Sequence, residues 1–291
     1  MLLEQLLNGI TVGATYALIA LGYTMVYGII TLINFAHGEI FMVGAFVGLF
    51  LTRYLHLNVF IGIFGAMLAC MLLGILVERI AYRPLRRSSR LSALISAIGV
   101  SIFLSTLVQL IRGPQTTNYP SDVISNTIYT VGSVHISKLQ LIMILVSAGL
   151  MLALQFIVKY TKMGKAMRAT SQDYDAASLM GININQVISF TFALGSALAA
   201  AGGVLVGIYF NAVGPFMGTS AGLKAFAAAV LGGIGSIPGA MLGGLLLGIA
   251  EIAAIAMGKS SYTDAIAFGI LFLVLLIKPT GILGRPVQKK V

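Results

Sequence analysis

Apolar runs of about 17 to 25 residues recur from one end of this chain to the other. In lipid, every backbone N–H and C=O of such a run must be satisfied by the protein itself, which leaves helices or a closed barrel. Barrel strands would read as about ten residues of alternating polarity, whereas these runs are continuous and rich in Leu, Ile, Ala and Gly. The expected fold class is therefore all-α, a polytopic helical bundle forming a single transmembrane domain over residues 1–291. Only 9% of residues are charged, too few to cover a separate soluble domain.

Charge placement sets the orientation. Thirteen of the eighteen basic residues fall in three clusters: Arg79, Arg83, Arg86, Arg87 and Arg90; Lys159, Lys162, Lys165 and Arg168; and Lys278, Arg285, Lys289 and Lys290. By the positive-inside rule all three are expected in the cytoplasm, and the net charge of +10 then reflects topology, with no nucleic-acid partner implied. The runs Leu6–Ile30, Glu39–Tyr54 and Val59–Val77 must end inside, so the N-terminus is expected outside. Leu91–Ile111 goes out, residues 112–138 form an external loop carrying Pro114, Asn118, Pro120, Asp122 and Asn126, Leu139–Val158 returns, and Val187–Phe210 goes out again. A cytoplasmic C-terminus requires an odd number of further crossings. The long run after Ala225 is therefore split at GGIGSIPGA, residues 232–240, into a short half Ala225–Gly235 and a span Pro238–Met257, followed by Ala265–Ile277. That gives eight to nine crossings.

The early sequence NFAHGE, residues 34–39, interrupts the apolar pattern as GGIGSIPGA does late. Paired breaks of this kind point to a substrate pathway, where unwound backbone and half-helix ends meet a polar solute. The pathway candidates are Asn34, Phe35, His37, Gly38, Glu39, Gly235 and Pro238, with Glu251 added as an ionisable group inside an apolar run. Glu39 and Glu251 are the two acids read as lying within the membrane. The alternatives are an interfacial Glu39 and a Glu251 that serves only an interhelical hydrogen bond. Glycines four apart, among them Gly44 and Gly48, Gly203 and Gly207, and Gly244 and Gly248, read as helix-packing devices, and Cys70 as a small packing residue. Gly258-Lys259-Ser260 lacks the earlier glycine and the strand of a phosphate loop, and His37, His56 and His135 are scattered. The sequence contains no catalytic constellation and no metal-ligand spacing.

Residues 159–186, KYTKMGKAMRATSQDYDAASLMGININQ, form a polar segment within this oily chain. Ser171 could cap a helix of about ten residues, with Asp173 and Asp175 at its positive end and Gly181 as its stop. Ala176, Leu179 and Met180 share one face, suited to a groove on a soluble partner.

Asp175-Ala176-Ala177 followed by Gly181 resembles the coupling motif of ABC importer permeases, with Asp in place of the family's Glu. Together with INFAHGE and KAFAAAVLGGIGSIPGAMLGGLLLGIAE, it resembles the LivH-type permease family of branched-chain amino-acid importers over nearly the whole chain. The resemblance implies a bacterial inner-membrane subunit that translocates branched-chain amino acids by ATP-driven alternating access. It also implies a LivM-type permease partner, two cytoplasmic ATPases that hold the ATP and Mg, and a periplasmic or lipid-anchored solute-binding protein, with no cofactor on this chain. The coupling residues it implies are Gly164, Met167, Arg168, Asp175, Ala176, Ala177 and Gly181. A permease for urea or short-chain amides would look similar, and a gradient-driven carrier stands as the second class.

Overall fold

The computed structural model describes residues 2–86, 88–120, 127–131 and 134–284. Arg87, Asp122, Asn126, Arg285, Lys289 and Lys290 lie outside them, as does the side chain of Arg90. Two long helices, α1 (Leu2–Ile30) and α8 (Ile184–Tyr209), are buried along almost their whole length. Around them stand α2 (His37–Arg53), α3 (Val59–Val77), α4 (Arg90–Arg112), α5 (Lys138–Tyr160), α9 (Met217–Gly232), α10 (Ile237–Ala256) and α11 (Thr263–Ile277). Two short helices, α6 (Lys162–Gln172) and α7 (Tyr174–Leu179), join α5 to α8. The helical bundle is as expected, with one addition: strands β1 (Ile128–Val131) and β2 (Val134–Ser137) form an antiparallel hairpin in the loop after α4.

Seven helices among the described residues are long and apolar enough to cross a membrane. The remaining two, α2 and α9, have 17 and 16 residues, and counting them accounts for the eight to nine crossings expected. The boundaries differ in two places. Helix α9 begins at Met217, eight residues before the expected short half, because Asn211 adopts a φ of 48° and the chain turns at 210–216. The α3 span continues through a π-helical turn, Glu78–Tyr82, closed by the Arg83 N–H donating to the Glu78 carbonyl at 2.7 Å.

Small residues set how closely the helices approach. A Cβ on Gly244 would lie 2.5 Å from the Ala17 Cα, one on Gly44 2.4 Å from the Ala200 Cα, and one on Gly203 2.1 Å from the Phe41 carbonyl oxygen. Backbone therefore packs on backbone between α1 and α10 and between α2 and α8. Cys70 is buried in the same core with its thiol 3.6 Å from the Ile40 carbonyl. Gly258–Ser260 is a short connection into a 3₁₀ turn before α11.

The ends of the bundle are distinct. At one, Tyr119 is pinned by its backbone N–H on Asn211 Oδ1 (2.9 Å) and its hydroxyl on the Ala45 carbonyl (3.1 Å). At the other lie the last turn of α1, helices α6 and α7, the 233–236 turn, and the described members of all three basic clusters. Arg86 there donates to Asn185 at the start of α8, Arg168 to the end of α5, and Lys278 to the Ile282 carbonyl beside the end of α9.

Candidate functional site

Helix α1 stops at Ile30 because Thr31 turns with a φ of 52°, and residues 31–36 fold back along it. Asn34 holds this turn: its Oδ1 accepts from the Ala36 N–H at 3.1 Å and the Tyr82 hydroxyl at 2.9 Å, the latter delivered by the π turn. Helix α2 then starts beside Gly22 and Tyr23, well inside the bundle, with the His37 ring 4.8 Å from that of Tyr23. Helix α9 starts against it. A Cβ on Gly38 would lie 2.3 Å from the Gly218 carbonyl oxygen and 3.0 Å from the Gly222 Cα. The first turns of two interrupted helices thus meet back to back, with glycine on both sides of the contact.

Glu39 sits in this contact and is buried, with 1% exposure. Its Oε1 accepts from Thr219 Oγ1 at 2.9 Å and Ser101 Oγ, on α4, at 3.3 Å, while its Oε2 has no hydrogen-bond partner among the described residues. His37 Nε2 and Asn34 Nδ2 are likewise buried without partners there, and Phe35 stands 6.1 Å from Phe226.

The other pathway candidates lie elsewhere. Gly235 faces Gly28 at the basic end, with Gly235 and Pro238 at small clefts beside Arg168. Glu251 accepts from Tyr16 at 2.8 Å and Lys224 at 2.6 Å, and Lys224 also reaches Asp264 at 2.9 Å. On α9, Lys224 lies about 140° around the helix from Thr219. The eight candidates therefore do not form one site, and the partner of the NFAHGE break is the 210–216 turn, not GGIGSIPGA. Two ionic groups were not anticipated. Glu78 is a third buried acid, paired with Arg86 and accepting from Ser189 at 2.6 Å, and Lys224, just ahead of the run read as apolar from Ala225, lies inside α9.

The polar segment folds as two helices, not one. Asp173 caps α7 by accepting from the Asp175 and Ala176 N–H groups at 2.9 and 3.0 Å, whereas Ser171 donates to Arg168 and caps nothing. Gly164 lets α6 fold tightly under α5, since a Cβ there would lie 2.3 Å from the Ile157 and Val158 carbonyl oxygens. Arg168 donates to the Val158 and Lys159 carbonyls, satisfying the open end of α5. Met167 is buried against α1, and the Tyr174 hydroxyl donates to the Ile29 carbonyl at 2.8 Å. Burial pushes that hydroxyl above its ordinary pKa, with the Arg86 charge pulling partly back, so it remains a donor. Ala177 faces inward, Asp175 and Ala176 are exposed, and Leu179 and Met180 project at 88% and 83% exposure. Gly181 closes the helix at a φ of 82°.

The family described as "Branched-chain amino acid transport system / permease component" matches residues 5–275. The chain belongs to this family. The permease is 49% identical over 302 aligned positions to the high-affinity branched-chain amino acid transport system permease protein LivH of Escherichia coli (strain K12), covering 99% of this chain and 97% of that one. It is 47% identical to the corresponding protein BraD of Pseudomonas aeruginosa, covering 99% and 98%. Among solved structures, PsaBC from Streptococcus pneumoniae in complex with Fab is similar in fold, with a TM-score of 0.51 at 15% identity over 96% of the permease and 92% of that chain. Among the described residues of the permease, no group of three or more His, Cys, Asp or Glu side chains is placed to hold a metal ion.

Proposed function

We propose that the permease is the membrane subunit of an ATP-driven importer that carries leucine, isoleucine and valine across the bacterial inner membrane. The observation that carries this reading is the near full-length similarity to two branched-chain amino-acid permeases, LivH and BraD. A second, LivM-type permease, two cytoplasmic ATPases that bind ATP and Mg, and a solute-binding protein outside complete the machine. The basic clusters favour a cytoplasmic α6–α7 end, and on this reading the N-terminus is outside, the C-terminus inside and the 112–138 loop external.

On this reading Asp175, Ala176, Leu179 and Met180 present the tip of a coupling element to the ATPase, while Gly164, Met167, Arg168, Ala177 and Gly181 fix its shape. Because Tyr174 grips the last turn of α1 and Arg168 the end of α5, closure of the ATPase pair would move this element as a body and tilt the spans it holds. The pathway passes the α2–α9 contact at Asn34, Phe35, His37, Gly38 and Glu39. Gly235 and Pro238, beside α6, belong with coupling, and Glu251 with packing.

The deciding measurement is ATP hydrolysis by the purified assembly in lipid, with and without solute-binding protein loaded with leucine. Stimulation that disappears when Gly181 is replaced by a bulky residue supports the reading. Stimulation by urea or short amides alone replaces the cargo, and an assembly without any ATPase overturns the machine in favour of a gradient-driven carrier.

A further inference from the structure

Among the described residues three acids are buried: Glu39, Glu78 and Glu251. A buried carboxylate is costly unless paired, and two of the three are paired, Glu78 with Arg86 and Glu251 with Lys224. Glu39 has two hydroxyls and no cation within ion-pair distance among the described residues. Its Oε2 is left without a donor although the residue is 99% buried.

The surroundings of that oxygen favour a guest. A Cβ on Gly218 would lie 2.6 Å from Oε2, so any larger residue there would cover it. The hydroxyls that hold Oε1 come from different walls, Ser101 from α4 and Thr219 from α9. Along α4, Ser101, Ser105 and Gln109 recur four residues apart on one face, which runs from Glu39 toward the Tyr119 end. On α9, Thr219, which donates to Glu39, and the next residue, Ser220, are both exposed. A helix facing only lipid has no use for such a row of polar groups. The first turns of α2 and α9 offset part of the negative charge, each equivalent to roughly half a positive charge at most, and they hold the carboxylate in place without giving Oε2 a donor.

We propose that Glu39 is the transient counter-ion for the α-ammonium of the translocating amino acid, in a half-channel walled by Ser101, Ser105 and Gln109 of α4 and Thr219 and Ser220 of α9. The inference rests on the transport reading above and adds to it a residue that reads the ammonium. Hydroxyls and a carboxylate on one side suit a primary ammonium, which offers three donors. A neutral amide or urea carries no charge for Glu39 to balance.

Two measurements test this in the complete assembly reconstituted in lipid. In the first, Glu39→Gln keeps shape and removes charge. Leucine uptake is expected to fall about thirtyfold or more, the lower end of what breaking a buried charge pair costs, while leucine-loaded binding protein still stimulates ATP hydrolysis. In the second, Thr219→Cys in a Cys70→Ala background is modified with 2-aminoethyl or 2-sulfonatoethyl methanethiosulfonate. The cationic reagent is expected to react about tenfold faster than the anionic one, through focusing of the local field, and Glu39→Gln should bring the ratio close to one. Wild-type uptake in Glu39→Gln, or a labelling ratio indifferent to Glu39, overturns the proposal and leaves the importer reading standing. A Glu39→Gln variant that no longer assembles with the second permease places the missing cation on that subunit and also overturns it. A wild-type assembly that moves no leucine removes the importer reading itself, while the labelling ratio still reports whether Glu39 attracts a cation.

Discussion

Replacing Lys224 with Met leaves Glu251 as a buried acid without its cation. In the native chain Lys224 Nζ lies 2.6 Å from Glu251 Oε1, and the two side chains are 12% and 9% exposed. Removing one partner of a buried pair costs about 3–5 kcal/mol. Tyr16 still donates to Glu251 at 2.8 Å, so the lower figure, about 3 kcal/mol, is expected. At about 2 °C per kcal/mol for a large domain, this corresponds to a fall of about 6 °C in Tm. The Asp264 partner is 66% exposed, and Asp264→Asn should shift stability by less than about 0.5 kcal/mol. The double variant Lys224→Met/Glu251→Gln removes the stranded charge and should recover about 2 kcal/mol, a coupling that a double-mutant cycle isolates. The chain has a single cysteine, Cys70, and it is buried, so a maleimide dye that fluoresces on thiol reaction reports unfolding of the purified permease directly. A Lys224→Met protein that unfolds within about 1 °C of the wild type, or no recovery in the double variant, would refute the view of this pair as a buried tie.

Gly38→Val should abolish uptake and cost about 1–3 kcal/mol by overpacking, because the new side chain must displace the Gly218 backbone 2.3 Å away; uptake and the same dye assay measure both effects. Gly181→Ala meets nothing within 4 Å but is strained at a φ of 82°, costing about 1 kcal/mol, so it should weaken leucine-stimulated hydrolysis, and Gly181→Asn should weaken it less. Ala177→Arg, at an inward-facing position, should separate the ATPases from the permease on size exclusion. Tyr174→Phe removes one hydrogen bond, to Ile29, worth about 1 kcal/mol. It should lower the leucine carried per ATP with the assembly intact.

Much of the architecture was legible because lipid permits so few solutions. Run length and continuity give the helices, and the described members of the three basic clusters fall at one end of the bundle. Of the glycines four apart, Gly44, Gly48, Gly203, Gly244 and Gly248 lie where helices touch, while Gly207 meets Val213 and Tyr119 in the connecting segments. The early break was readable from Asn34 to Gly38, where short polar and flexible residues interrupt a long apolar run. Its structural counterpart escaped notice although Asn211, Gly214 and Pro215 mark a turn, since the run that follows reads as apolar only from Ala225. Glu78 was hidden because it sits at the seam between an apolar run and an arginine cluster, where a glutamate reads as solvated; the π turn is what carries it inside. Lys224 was hidden for the opposite reason, as one charge among alanines whose counter-ions lie 27 and 40 residues later. The single capped helix expected at 171–181 became two because Asp173 is the better-placed acceptor for the free N–H groups of α7.

The glycine contact between α2 and α9 has no teeth. Where side chains interlock, moving one helix along another requires rotamers to change together, but Gly38, Gly218 and Gly222 present smooth backbone. At its far end α9 is anchored, with Gly232 packed on Gly239 and its last carbonyls accepting from Ile282 and Leu283, so the end that can creep is the one beside Glu39. Rewinding only the first turn of α9 by one residue, about 100°, would withdraw the Thr219 hydroxyl and bring Ser220 toward the carboxylate. The acid would then exchange one alcohol for another instead of losing its tether. Ser220→Ala should accordingly be silent in thermal stability and slow only turnover, a kinetic trace of a spare hydroxyl.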